Sequence, residues 1–183
     1  MGKLFVLSGA SGVGKSTVLR KVMEGRHDLL FSVSATTRDP RPGEHHGVEY
    51  YFVSKEKFLD MIQKDEFLEY DDHMENYYGT PKKQIAEKLP KGSVILDIEP
   101  NGAFNVKRQM PEAVLIFIAP KSLEVLERRL RSRGDTSEEQ IRVRLERAAW
   151  EMEQGTRYDH YVINDRLDDC VNEILKIIAQ EAN

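Results

Sequence analysis

Cysteine is almost missing from this chain. Cys170 is the single one among 183 residues, which excludes an intramolecular disulfide framework and leaves a thiolate zinc site without companions. Long apolar runs are absent too: Val114–Ala119 falls far short of the roughly 20 residues that span a bilayer. The opening block Leu4-Phe5-Val6-Leu7 is too short for a signal-peptide core, and Gly9 onward reads as something else. Basic excess is lacking as well. With 27 Lys and Arg against 31 Asp and Glu the net charge is −4, so neither a nucleic-acid surface nor a membrane is expected as partner. The expectation is a soluble cytoplasmic protein whose 40% hydrophobic content fills one core, elaborated by small subdomains.

What positive charge there is comes in clusters. Arg38 and Arg41 lie close together, and Arg128, Arg129, Arg131 and Arg133 crowd one segment. An acidic body with local arginine groups suits small phosphates. Apolar β-type runs at Lys3–Ser8, Ser93–Glu99, Ala113–Ala119 and Tyr161–Asn164 alternate with helical patterns. The helices are read at Lys15–Glu24, Phe104–Met110, Leu123–Ser132, Ser137–Gly155 and Asp168–Glu181. That alternation predicts an α/β fold, a parallel sheet flanked by helices. Thr136-x-x-Glu139 reads as a capping box for the helix from Ser137. Residues 32–84 break the pattern with β-type pieces at Tyr50–Val53 and Phe67–Tyr70 and a turn at Tyr77–Pro81, and they read as an inserted substrate-binding subdomain. Arg131–Thr136, between two helices, reads as a lid loop.

Gly9-Ala10-Ser11-Gly12-Val13-Gly14-Lys15-Ser16 matches G-x-x-x-x-G-K-[ST] between a strand and a helix. Glycines let backbone N–H groups converge on phosphate oxygens, and the helix N-terminus adds favourable partial charge. Lys15 would reach the β- and γ-phosphates, and the Ser16 hydroxyl would ligate Mg²⁺. Lys15 is read as lying on an exposed loop, replaceable without loss of the fold. Asp97 and Glu99, ending an apolar run, are the candidate metal-organising carboxylates, since charge there is costly without a partner or an ion.

Thr36-Thr37-Arg38-Asp39-Pro40-Arg41-Pro42-Gly43-Glu44-His45-His46-Gly47-Val48-Glu49-Tyr50-Tyr51-Phe52 fits T-[ST]-R-x-x-[KR]-x-x-[DE]-x-x-[GA]-x-x-Y-x-[FY]. This stretch resembles the guanylate kinase signature. The likeness extends over the phosphate loop, the Glu69 segment, Asn76–Thr80, Leu96–Glu99 and an arginine lid, and so over essentially the whole chain. The resemblance implies the P-loop NTPase fold with core segments 1–31, 85–122 and 156–183, a GMP-binding subdomain at 32–84 and a lid at 123–155. It implies Mg²⁺-dependent transfer of the ATP γ-phosphoryl group to GMP, and to dGMP alike. ATP would be held by Gly9, Ala10, Ser11, Gly12, Val13, Gly14, Lys15, Ser16 and Thr17, with Asn164 near the adenine. Arg38, Arg41, Tyr50 and Tyr78 would hold the GMP phosphate, since guanidinium forks match phosphate oxygens. Glu69, Ser34, Gly79, Thr80 and Asp97 would complete the GMP site, with Ser16 and Asp97 on the metal. Lys15, Arg38, Arg129, Arg133 and Arg144 would carry catalysis, with Arg131 and Arg142 as surface charge. The chain departs from the family at Gly134-Asp135-Thr136 and at Pro100-Asn101.

Guanine shows two adjacent donors, N1–H and the 2-amino group, which one carboxylate at Glu69 accepts together, while its O6 needs a hydroxyl from Ser34 or Thr80. The competing readings are a kinase for another monophosphate, which that residue set opposes, and a non-catalytic scaffold module, which would have a degraded phosphate loop. Trp150 reads as a packing residue of its helix.

Overall fold

The computed structural model describes residues 2–73, 75–132, 134 and 136–182. Its main sheet holds β1 (Leu4–Gly9), β2 (Leu30–Phe31), β7 (Val94–Asp97), β8 (Val114–Ala119) and β9 (His160–Ile163), in the order β2-β7-β1-β8-β9 with every pairing parallel. All six residues of β1 and of β8 are buried. Helices cover both faces of such a sheet, so its central strands read as unbroken apolar runs rather than alternating ones. The register sets Leu7 beside Asp97 and Gly9 beside Ile118, so the carboxyl ends of three strands open at one level. In open α/β sheets ligands bind in the crevice at that edge.

Around it lie α1 (Lys15–Gly25), α4 (Pro100–Gln109), α5 (Leu123–Ser132), α6 (Glu138–Gly155) and α7 (Leu167–Glu181). Helix α4 begins four residues before the expected Phe104, because Pro100 at its first position carries the φ a helix start needs. Glu99 is therefore not a strand residue but the N-cap residue of α4. The capping box of α6 is Ser137/Gln140 rather than Thr136/Glu139. Ser137 has extended backbone (φ −68°, ψ 157°), its Oγ accepts from Gln140 N, and Gln140 Oε1 accepts from Ser137 N.

A second sheet runs in the order β4-β3-β6-β5, from β3 (Ser34–Thr36), β4 (Tyr50–Phe52), β5 (Phe67–His73) and β6 (Asn76–Pro81). The expected turn at Tyr77–Pro81 is thus strand, antiparallel to both β3 and β5. Gly79 is a packing glycine rather than a turn glycine, since a Cβ there would lie 2.8 Å from the Phe67 ring and 3.1 Å from Phe58. Helix α2 (Lys55–Gln63), capped by Ser54 Oγ accepting from Lys57 N, supplies Phe58, whose ring stacks on Phe67 at 4.4 Å. Ala35, Phe58 and Phe67 form a small core of their own. The next residue of β5, Leu68, points the other way and joins the main core, as does Ile85 of α3 (Lys82–Lys88). The register of β5 against β6 shifts between Phe67 and Glu69, leaving Leu68 as the extra residue of a bulge, and this irregularity fastens one strand to both bodies.

Candidate active site

The turn after β1 is built as a cradle. Gly12 and Gly14 adopt φ of +80° and +91°, a region costly for residues with a Cβ. A Cβ on Gly12 would also come within 3.2 Å of Leu130 Cδ2 on α5. Gly14 is the N-cap residue of α1 and offers no side-chain cap, and the first turn of α1 carries no acid. Its leading N–H groups and positive helix end therefore suit an anion. The loop is tied down by Ala10 N to Ile118 O (3.0 Å), Ser11 N to Glu151 Oε2 (2.6 Å) and Asn164 Nδ2 to Val13 O (2.8 Å). Asn164, buried just after β9, gives its side-chain N–H to the loop's backbone.

Lys15 does not hang on an exposed loop. It is the first residue of α1, its side chain is 19% exposed, and its ammonium pairs with the Asp97 carboxylate. Burial alone would lower its pKa, but Asp97 and then Glu99 outweigh it, and the net shift is upward. Ser16, exposed, lines a recess shared with Asp97, Arg38 and Tyr50. A hydroxyl and a carboxylate are hard oxygen donors, the type Mg²⁺ takes when phosphates supply the remaining ligands, so these residues fit that ion. Thr17 is exposed on the next position of α1.

Facing the cradle is a cleft of about 250 Å³ lined by Lys15, Ser34, Arg38, Arg41, Tyr50, Glu69, Asp71, Tyr78, Gly79, Asp97, Ile98, Glu99 and Gly102. At one end Arg38 lies over the Tyr50 ring at 5.4 Å, and the Tyr50 and Tyr78 rings meet edge-on at 6.0 Å. The Arg38 guanidinium holds both oxygens of Glu44 at 2.9 and 3.0 Å, and Arg41 N donates to Glu44 Oε2 at 2.7 Å. Hydrogen bonding to Glu44 raises the Arg38 pKa.

At the other end Glu69 is 5% exposed. Burial pushes its carboxyl up to about 7, with the Thr80 hydrogen bond opposing and Asp71 adding. Thr80, itself buried, donates to Glu69 Oε1 at 2.6 Å. Its proton is thus committed to Glu69, which leaves Ser34 as the aliphatic hydroxyl lining the cleft. Gly102 of α4 makes room: a Cβ there would sit 2.5 Å from Glu69 Oε2.

The lid residues are more scattered. Arg129 donates to the carbonyls of Asn164 and Asp165, each at 3.1 Å. Arg131 pairs with Glu127 and Glu138, and Arg142 with Glu139 and Glu146. Arg144 is exposed on α6; Arg133 lies outside the described residues. Trp150, expected to be packed, is 44% exposed, beside a shallow pocket with Asp71, Asp72 and Arg147. Gly102 and Glu151 stand at the site without being singled out in the sequence, and Glu44, the fixed acidic position of the signature, is given no role there. For Glu44 the signal is present, an acid six residues past an arginine across a Pro-Gly turn, whereas Glu151 looks like any acid on a charged helix. Among the described residues no helix is long and apolar enough to cross a membrane.

Residues 1–181 match the family model described as guanylate kinase. The chain is 49% identical over 181 residues to a guanylate kinase of Thermus thermophilus, covering 98% of this chain and 82% of the relative. It is 45% identical over 177 residues to one of Prochlorococcus marinus subsp. pastoris, covering 96% of each. A crystal structure of guanylate kinase from Anaplasma phagocytophilum superposes with a TM-score of 0.81 at 34% identity, covering 99% of this chain and 86% of that one.

Proposed function

Since this chain belongs to the guanylate kinase family, we propose that the cradle and the facing cleft are the donor and acceptor halves of one phosphoryl-transfer site. The protein is a kinase with the P-loop NTPase fold, and its reaction moves the γ-phosphoryl group of ATP to GMP, giving ADP and GDP. The observation that carries the division of labour is a single cleft. It has arginines and tyrosines at one end, a buried carboxylate at the other and Lys15 with Asp97 on the donor side.

In this reading Arg38, Arg41, Tyr50 and Tyr78 hold the GMP phosphate, and Arg38 exchanges Glu44 for it. Glu69 accepts guanine N1–H and the 2-amino group, Thr80 fixes Glu69, Ser34 donates to O6, and Gly79 keeps the strand close to the base. Residues Gly9–Thr17 wrap the ATP phosphates, with Asn164 bracing the loop. Ser16 and Asp97 would hold Mg²⁺, which would supply neutralisation of phosphate charge. Arg129, Arg133 and Arg144 gather on the equatorial oxygens when the lid, residues 123–155, closes over the 32–84 subdomain. The monophosphate is mostly dianionic at pH 7, its second pKa being near 6 by analogy with phosphoserine, so no general base is needed. Catalysis then reduces to alignment and charge compensation, and the arginines, not a triad, supply it. The enzyme is read as cytoplasmic, with nucleotides as its partners.

The test is a coupled ADP-release assay with ATP and each monophosphate, with and without a chelator. GMP should be preferred by at least about 10⁴-fold over AMP, because adenine turns an acceptor toward Glu69. Excess chelator should stop turnover until Mg²⁺ is restored. A preference for AMP, UMP or CMP would sink the reading.

Acidity should act through Glu69. Below about pH 7 its carboxyl is protonated, and one oxygen then presents a donor to guanine's donors. The KM for GMP should rise as pH falls through 7 to 6, approaching tenfold per unit, while the KM for ATP stays flat. GMP's own phosphate also titrates near pH 6, so the control is Glu69→Gln, in which the part of the dependence centred near 7 should vanish.

A further inference from the structure

One buried charge belongs to neither half of the site. Glu151 of α6 is 1% exposed. Its Oε2 accepts the Ser11 N–H at 2.6 Å, and its Oε1 accepts Arg147 Nε at 2.8 Å. Arg147 reaches on to Glu99 Oε2 at 3.1 Å, on the wall of the acceptor cleft. Burial raises the Glu151 pKa, opposed by Arg147 and the Ser11 amide. An enclosed carboxylate is costly unless its partners use it, and an apolar residue would pack α6 without that cost.

We propose that Glu151 is a positioning residue for the donor loop. Its carboxylate, oriented by Arg147, fixes the Ser11 amide and so aims the N–H groups that follow it at the ATP phosphates. The other two ties of this loop run to the ends of strands, β8 through Ile118 and β9 through Asn164. The Ser11 tie alone of these three runs to α6, the helix that also bears Arg144. Movement of α6 is therefore transmitted to the loop, and Arg147 extends the connection to the acceptor side. This rests on the loop being the ATP site, as proposed above.

The experiment measures the KM for ATP at saturating GMP, the KM for GMP at saturating ATP, and the Kd for ADP by calorimetry without GMP. Glu151→Ala should raise the KM for ATP and the Kd for ADP about tenfold, with the KM for GMP within twofold. Glu151→Gln keeps an acceptor for the Ser11 amide and should recover most of that loss; it also stands in if the alanine variant fails to fold. Arg147→Met should show the same ATP-selective defect, and adding it to Glu151→Ala should cost little more, because the two act in series. Equal rises in both KM values, unchanged KM values with a lowered Tm, or a fall in the KM for ATP would each overturn the proposal. The last would mark Glu151 as a competitor of phosphate. Failure of the parent to phosphorylate GMP would instead strike the functional reading, and the ADP titration would still judge the brace.

Discussion

Lys15→Met should lower kcat by at least about 10²–10³-fold, the loss that follows removal of one preorganised charge-stabilising donor. Methionine matches the length of the lysine stem and deletes only the ammonium. That ammonium is paired with Asp97 inside the cleft, and its raised pKa keeps it charged at any working pH. ATP then offers it phosphate oxygens in place of the carboxylate. The fold should also suffer. The Lys15 and Asp97 side chains are only 19% and 24% exposed, and removing one partner leaves the other charge largely desolvated. A fully buried pair broken this way costs about 3–5 kcal/mol; here, with some solvent access, about 1–2 kcal/mol is expected, a fall in Tm of about 3–6 °C. Steady-state rates and a thermal scan read the two effects separately. Turnover within threefold of the parent would remove Lys15 from the phosphate site.

Glu69→Gln should do the opposite to stability while damaging recognition. The amide replaces one acceptor with a donor facing guanine's donors, a buried mismatch worth about 1–3 kcal/mol. The KM for GMP should rise about tenfold or more and the KM for ATP stay nearly unchanged. AMP, whose N1 is an acceptor, should be rejected less strongly than by the parent. The empty protein should meanwhile gain stability. The folded Glu69 pKa of about 7 lies above the ordinary 4.5. The native state therefore holds the extra proton between those values, and stability falls as pH rises from about 4.5 to 7. Above pH 7 the ionised carboxylate costs up to about 3 kcal/mol, which glutamine does not incur. Thermal scans at pH 5 and pH 8 should show the variant's advantage only at the higher value. An unchanged GMP/AMP selectivity ratio would move base recognition to Ser34 or Asp97.

The parts of this protein legible in the sequence are those governed by short-range rules. The phosphate loop is a contiguous motif, and β1 and β8 are apolar runs whose meaning does not depend on distant residues. Elsewhere a tertiary contact decides the outcome. Gly79 suggests a turn because glycine usually signals one, yet its hydrogen side chain answers to the Phe67 and Phe58 rings. Thr80 reads as a base contact because its hydroxyl is a donor, but its acceptor is Glu69, on the neighbouring strand. Lys15 reads as exposed because loops are, and it is enclosed because β7 ends beside it in Asp97. Helix α2 is absent from the expected elements although Ser54 followed by Phe58, Met61 and Ile62 carries its cap and apolar spacing.

Strand β5, gripped by the small core through Phe67 and by the large one through Leu68, decides what opening the molecule does to each end of the substrate. It is one edge of the second sheet, and β4 with Tyr50 is the other, three strand spacings or roughly 14 Å away. A swing of that sheet by about 20° around β5 therefore displaces Tyr50 by roughly 5 Å and barely moves Glu69. With Glu69 as the proposed base contact, such a swing would turn the sheet about the base end of the cleft. On the proposed assignment of the cleft, a nucleotide would meet Glu69 before Arg38, Arg41 and Tyr50 reach its phosphate.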